Sequence, residues 1–291
     1  MESNIKQSIK NVYFYVIGGR ERGITLSTIE RYSLFENKWE SLPSLNEPRG
    51  SLAAAYMNNK IYIMGGGGCN CNLNTCETLD ITNNTWTLIS PLSVARHALT
   101  STINNKLYVI GGWIAGTISA PICESYDVEN DKWTTHSPLN IPRRLHGVAS
   151  HKEYIYVFGG STAEYSEISS VECYNTLTDE WSEVKSMPSI ARPVALTIGE
   201  YIYLILGGRY IIKYSPDKDE YENVENGKLP LFEWYGFSAE EHEGKIYIFG
   251  GTTKGKLTKS VYSFDTNNYK WEEVCKMNSV RRRSSIVKVI I

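Results

Sequence analysis

The sequence predicts an all-β protein in which six four-stranded sheets stand as the blades of one propeller. Three regularities predict it: a double glycine that recurs at steps of 43 to 48 residues, an aromatic or leucine seven residues before a second aromatic in every unit, and a run of small side chains after most of these pairs. No stretch carries the sustained 3.6-residue periodicity that helical repeats of this length need.

The double glycines are Gly18-Gly19, Gly65-Gly66, Gly111-Gly112, Gly159-Gly160, Gly207-Gly208 and Gly250-Gly251. Each closes an apolar run carrying a tyrosine: Tyr15, Tyr62, Tyr108, Tyr156 and Tyr247 lie three residues before the first glycine, and Tyr203 four. Such runs read as strands. Glycine suits their ends because the backbone there must turn sharply or approach a neighbour where a Cβ would obstruct it.

Next come Tyr32 with Trp39, Leu79 with Trp86, Tyr126 with Trp133, Tyr174 with Trp181, Tyr214 with Tyr221 and Phe264 with Trp271. Turn formers such as 127–132 (DVENDK) and 265–270 (DTNNYK) separate the partners, so each unit closes with a hairpin. Trp39, Trp86, Trp133, Trp181 and Trp271 are expected to pack between blades.

An arginine follows most hairpins (Arg49, Arg96, Arg143, Arg192, Arg281). A residue recurring once per blade serves the blade, so Arg49, Arg96, Arg143 and Arg192 are expected to be structural. The strands after them, 51–56 (SLAAAY), 98–103 (ALTSTI) and 147–150 (GVAS), carry small side chains, as converging innermost strands require.

The expected organisation is one domain, 1–291, with blade 1 from 12–42 plus 284–291 and blades 2 to 6 at 50–90, 97–137, 145–187, 193–229 and 236–276. The last segment (SSIVKVII) would complete the first blade and leave no open sheet edge. Blade 5 departs from the pattern. Tyr221 replaces tryptophan, the distance from Gly207 to Tyr221 is 14 residues against 21 or 22 elsewhere, and Trp234-Tyr235 stand where the arginine is expected.

The pattern Tyr-x-x-Gly-Gly, Glu-x-Tyr-Asp and a tryptophan seven residues after that tyrosine resembles the Kelch repeat. Glu124-Ser125-Tyr126-Asp127 with Trp133 matches it most fully, and the six copies span the chain. The chain thus resembles the C-terminal substrate-recognition domain of BTB-Kelch proteins, adaptors that recruit targets to cullin-3 ubiquitin ligases. Cullin-3 would be reached only through a BTB region, which these residues do not contain. Richness in Asn, Ile, Lys and Tyr is similar to that of AT-rich genomes, including those of poxviruses, which encode BTB-Kelch proteins.

The resemblance implies a protein partner docked on one end of the ring. Carried over by position, its contacts are Arg20, Gly67, Trp113, Ser161, Arg209 and Thr252 after the double glycines. A second set, near the starts of the inner strands, is Ser51, Leu145 and Arg283 with, by looser alignment, His97 and Tyr235. Arg20 and Arg283 fall in the closing blade, so an acidic peptide segment is the expected ligand, with Trp113 as an aromatic anchor. Taken singly, each of these residues reads equally well as a solvated loop residue.

Other chemistry finds little support. Thirty basic against 32 acidic residues give a net charge of -2, without the field that nucleic acid or a membrane surface attracts. Residues 1–11 lack the apolar core of a signal peptide, and no run nears the roughly 20 apolar residues of a membrane span, so a cytoplasmic protein is expected. Cys69-Asn70-Cys71 with Cys76 is not the paired motif of a zinc site, and His97, His136, His146, His151 and His242 are scattered. The run 65–68 lacks the Gly-Lys-Ser/Thr ending of a phosphate loop. No catalytic residue, metal or cofactor is assigned, and the chain is read as a non-enzyme. The alternatives are a cytoskeletal, actin-type binder and, behind it, an enzyme on the same fold; such enzymes, galactose oxidase among them, need copper ligands.

Overall fold

The computed structural model describes residues 11–116, 118–162 and 166–291, and among them there is no helix. Blade 2 shows the plan, with antiparallel strands Ala53–Met57, Lys60–Met64, Cys76–Asp80 and Thr85–Ile89 running outward in chain order. Blade 3 (His97–Ile103, Lys106–Ala115, Cys123–Asp127, Lys132–His136) adds the short strand Ile118–Ser119. Blade 4 is Gly147–His151, Tyr154–Phe158, Val171–Asn175 and Glu180–Val184. Blade 5 is Pro193–Ile198, Tyr201–Leu206, Tyr210–Ser215 and Glu220–Lys228. Blade 6 is Ser238–His242, Lys245–Phe249, Ser260–Asp265 and Lys270–Lys276.

Blade 1 is assembled from both ends of the chain. Its outer strands are Val12–Ile17, Ile29–Ser33 and Lys38–Leu42, and its innermost is Ser285–Ile290, paired from Val12 opposite Ile290 to Ile17 opposite Ser285. Asn11 and Ile291 exchange backbone hydrogen bonds of 2.8 and 2.9 Å just beyond this register. The ring is therefore closed, with every blade flanked by two others.

The core is divided by the blades. Among the described residues there is one apolar cluster at each of the six blade interfaces. At the closing interface Phe14 of blade 1 lies 4.8 Å from Tyr247 and 5.4 Å from Phe249 of blade 6, centroid to centroid. The recurring aromatic reaches back to the preceding blade. Trp86, Trp133, Trp181 and Trp271 donate their indole N–H to the carbonyls of Pro43, Ser90, Ser137 and Asn226, and Tyr221 donates its hydroxyl to that of Lys185. Trp39 instead meets Phe249 edge-on.

A buried ion pair fastens each of four blades. Arg49 meets Glu77 at 3.2 Å, Arg96 meets Glu124 and Arg143 meets Glu172 at 2.7 Å, and Arg281 meets Glu30 at 2.8 Å, with almost no solvent access on either side. Each guanidinium also donates to the carbonyl of the first glycine of its own blade (Gly65, Gly111, Gly159, Gly18). Each carboxylate accepts backbone N–H bonds from the incoming linker, at Asn46, Ser93, Asn140 and Asn278. Every charge is thus both paired and hydrogen-bonded, the condition under which buried ions are tolerated.

Arg192 does not belong to this series, contrary to the sequence expectation. The carbonyls of Arg49, Arg96, Arg143, Trp234 and Arg281 each accept a bond from the second glycine of the preceding blade, and between blades 4 and 5 that carbonyl is Ala191's, 2.8 Å from the Gly160 nitrogen. Arg192 stands one residue later and points outward. The glutamate position changes in step with the arginine position. It holds Ile211 in blade 5, where Ala191 replaces arginine, and Tyr262 in blade 6, where Trp234 does. The Trp234 indole N–H takes over the bond to the Gly250 carbonyl at 2.6 Å and its ring packs edge-on against Tyr262.

Candidate functional site

The loops that follow the double glycines and the segments that lead into the inner strands meet at the same end of the ring. Backbone pairs join them: Arg20 to Arg282, Gly67 to Gly50, Trp113 to His97, Ser161 to Arg144 and Thr252 to Tyr235. Close approach demands glycine at the base of these loops. Gly19 has φ +105°, and a Cβ there would stand 2.9 Å from the Arg282 carbonyl oxygen. Blade 5 is the exception, its loop shortened to 207–209 and turned by a bond from the Arg209 nitrogen to the Leu206 carbonyl.

One residue after the paired one, the linker takes a left-handed conformation at Ser51 (φ +51°), Leu145 (+54°), Arg283 (+54°) and Gly236 (+63°). Gly236, and not Tyr235, is therefore the counterpart of Arg283. Blade 3 has one residue fewer here. Leu99 pairs with Ile110 as Ala53 pairs with Met64, so His97, next to Arg96, faces Trp113 directly. On three successive blades the left-handed residues are stitched together, Arg283 N–H to the Gly236 carbonyl and Ser51 N–H to the Arg283 carbonyl, both at 2.7 Å.

This frame gathers positive charge. Arg282 and Arg283 are exposed, Arg20 is half-buried, and Arg192 is exposed on the neighbouring arc. The Arg283 guanidinium has its pKa lowered, first by partial desolvation in the mouth and then by Arg282, Arg20 and Arg192. Arginine–carboxylate pairs among the described residues involve Arg31, Arg49, Arg96, Arg143, Arg192 and Arg281, but not Arg20, Arg282 or Arg283. Arg192 is held by Glu167 at 3.2 Å and by the Ser161 hydroxyl at 2.9 Å. A cavity of about 250 Å³ opens beside Arg282 and Arg283, walled by Tyr235 and Thr252, with Glu233 exposed on its rim.

His97 is buried at the edge of this cluster. Burial first, and then Arg20 and Arg283, push its pKa down to about 4, so the ring is neutral at pH 7. Its Nε2 and the Arg20 Nη2 both crowd the space above Gly67, where any Cβ would collide with them.

The structure thus brings Arg20, Ser51, His97, Trp113, Tyr235, Thr252 and Arg283 to the rim of one arc, blades 6, 1, 2 and 3. Trp113 is half-buried, edge-on to His97 at 4.6 Å, with its indole N–H bonded to the Gly116 carbonyl. Leu145 is exposed on blade 4, and Arg209 is exposed on blade 5, donating to the Ile190 carbonyl. Ser161 is fully buried and offers no surface to a partner; it supports Arg192. Sequence reasoning missed Arg282 and Arg192 as members of the mouth. The signal for Arg282 was the run 281–283, in which a strand-like alternation turns the first arginine inward and the second outward.

Residues 7–208 match the family model described as the KLHDC2/KLHL20/DRC7 Kelch-repeats domain, and residues 233–278 match the Kelch motif. The chain belongs to the Kelch-repeat family. Among similar proteins are Kelch-like protein 40 of Xenopus laevis, 26% identical over 157 residues (50% of this chain, 25% of that protein), and Beta-scruin of Limulus polyphemus, 29% identical over 151 residues (45% and 16%). The matched stretch, about half of this chain, covers a quarter or less of the length of these relatives. The solved structure titled "Structure of YjhT" superposes with a TM-score of 0.73 at 16% identity, over 84% of this chain and 89% of that one, and shows the fold alone.

Proposed function

We propose that this Kelch propeller is a protein-interaction module whose arginine mouth takes an acidic segment of a partner, in the manner of a BTB-Kelch substrate-recognition domain serving a cullin-3 ubiquitin ligase in the cytoplasm. The observation that carries the reading is the convergence of Arg20, Arg192, Arg282 and Arg283 on one rim in a chain whose net charge is -2. Guanidinium forks match carboxylates in bidentate geometry, and in a partly desolvated mouth such bonds gain strength over those in open water. Exposed apolar side chains flank the charge, Tyr235 and Phe232 from blade 6 and Ile24 and Ile118 from the loops of blades 1 and 3, and supply the hydrophobic contact that protein interfaces place beside their polar groups.

The test is affinity capture followed by peptide mapping, with the wild type and an Arg20→Glu/Arg283→Glu variant of unchanged melting temperature. The expected result is a partner whose acidic segment binds the wild type with a strong salt dependence and is lost from the variant. Equal capture by both proteins would exclude the mouth. Co-sedimentation with actin filaments that survives the charge reversal would replace this reading with a cytoskeletal one.

A further inference from the structure

The end of the ring opposite the mouth carries an unrelated constellation. His151 ends the inner strand of blade 4, Glu200 lies in the turn between the first two strands of blade 5, and Asp217 lies in that blade's outer turn. One donor atom from each falls within 4.8 Å of the other two, and His151 Nε2 is 3.9 Å from Glu200 Oε2. The imidazole is only 7% exposed, yet its Nε2 has no hydrogen-bond partner among the described residues. A buried ring nitrogen left unmatched is costly unless something outside the protein's own donors and acceptors meets it.

We propose that His151, Glu200 and Asp217 form a binding site for one divalent transition cation, with Zn²⁺ the best match. One imidazole nitrogen and two carboxylate oxygens form a borderline-hard donor set that suits zinc, and three protein ligands leave a fourth position to water. Buried His151 is the fixed point. Glu200 and Asp217 are exposed, so their carboxylates close the remaining distance by rotamer changes alone. Lys152 now holds Asp217 at 2.7 and 3.0 Å through its two oxygens, placing an ammonium where a cation is favoured; Lys152 is itself exposed and free to swing away.

The position gives the site a structural role. It bridges blades 4 and 5, and blade 5 is the blade that has Ala191 and Ile211 in place of the buried ion pair and Tyr221 in place of tryptophan. A metal bound to the folded ring and not to the unfolded chain stabilises this weakest-fastened blade by mass action. The ligands are 49 and 17 residues apart along the chain, so no motif announces them.

The experiment is calorimetric titration with Zn²⁺, Co²⁺ absorption spectroscopy and thermal melting, all on a Cys69→Ser/Cys71→Ser background, because those two exposed thiols are competing soft ligands. One saturable site per chain, a cobalt spectrum without sulfur-to-metal charge transfer, and a raised melting temperature in zinc are expected. Adding Glu200→Gln/Asp217→Asn, both at exposed positions, should weaken binding by more than about tenfold and abolish the melting shift. Absence of saturable binding, or binding that survives the double substitution, overturns the site.

Discussion

At Arg143 a fully enclosed guanidinium lies 2.7 Å from an equally enclosed Glu172 carboxylate, so removing either charge alone strands the other. Burial already lowers the Arg143 pKa against the support of Glu172. Arg143→Ala is expected to cost about 3–5 kcal/mol in urea denaturation. Arg143→Ala/Glu172→Ile, which copies the Ala191 and Ile211 of blade 5, should cost less than the single change; a double variant no more stable than the single one would refute the coupling. Acid sensitivity arises close by. Burial, and then Arg143, lower the His146 pKa to about 3, against about 6.5 for the unfolded imidazole. The unfolded chain therefore takes up a proton between these values that the folded ring refuses. The stability is complete above pH 6.5 and falls as the pH drops through that window, with His97 adding to the effect down to about 4. His146→Leu should flatten the decline in melting temperature between pH 7 and pH 5. A decline as steep as in the wild type would remove His146 as its source. The arginine repeat was legible as a count of residues, but the displacement of Arg192 was not, because a one-residue offset shows only in the backbone pairing.

The hairpins show what spacing alone conveys. A constant seven residues between a Tyr, Phe or Leu and the following aromatic specifies an outer hairpin, since cross-strand partners such as Tyr126 and Trp133 must face each other across a turn of fixed length. Asn37, Asn84, Asp131, Asp179 and Asp219 take the left-handed position in those turns, as their short polar side chains allow. The inner turns are less regular. Asn58-Asn59 and Asn104-Asn105 have positive φ at both residues, whereas blade 6 places Glu243 (φ +48°) before Gly244. Glu243→Asn would create the favoured Asn-Gly turn on an exposed hairpin, and should raise stability by roughly 0.5–1 kcal/mol in chemical denaturation. A neutral or negative change would mean that the nearby His242 or the strand ends set the strain. Blade 5 carried its warning in the sequence as a shortened repeat, yet what replaced its buried ion pair became visible only when Ile205 was seen opposite Ile211.

For the ring as a whole, closure governs stability. Ser285–Ile290 supplies the inner strand of blade 1 and places Ile286 against blade 6 and Val287 and Val289 against blade 2. Deleting 285–291 would open the ring, expose two interfaces and leave the strand Val12–Ile17 with an unpaired edge. A sharp fall in melting temperature is expected; an unchanged melt would show that the closure carries no stability. By itself the chain determined its six-unit period, its β character and the joining of its ends, because these depend on local turn chemistry and on residue size, which repeat along the sequence. Only the tertiary structure decided which arginines are buried against glutamates, which converge on the mouth, and that His151, Glu200 and Asp217 meet. Those outcomes depend on side chains brought together from different blades, and distance through space is not written in distance along the chain.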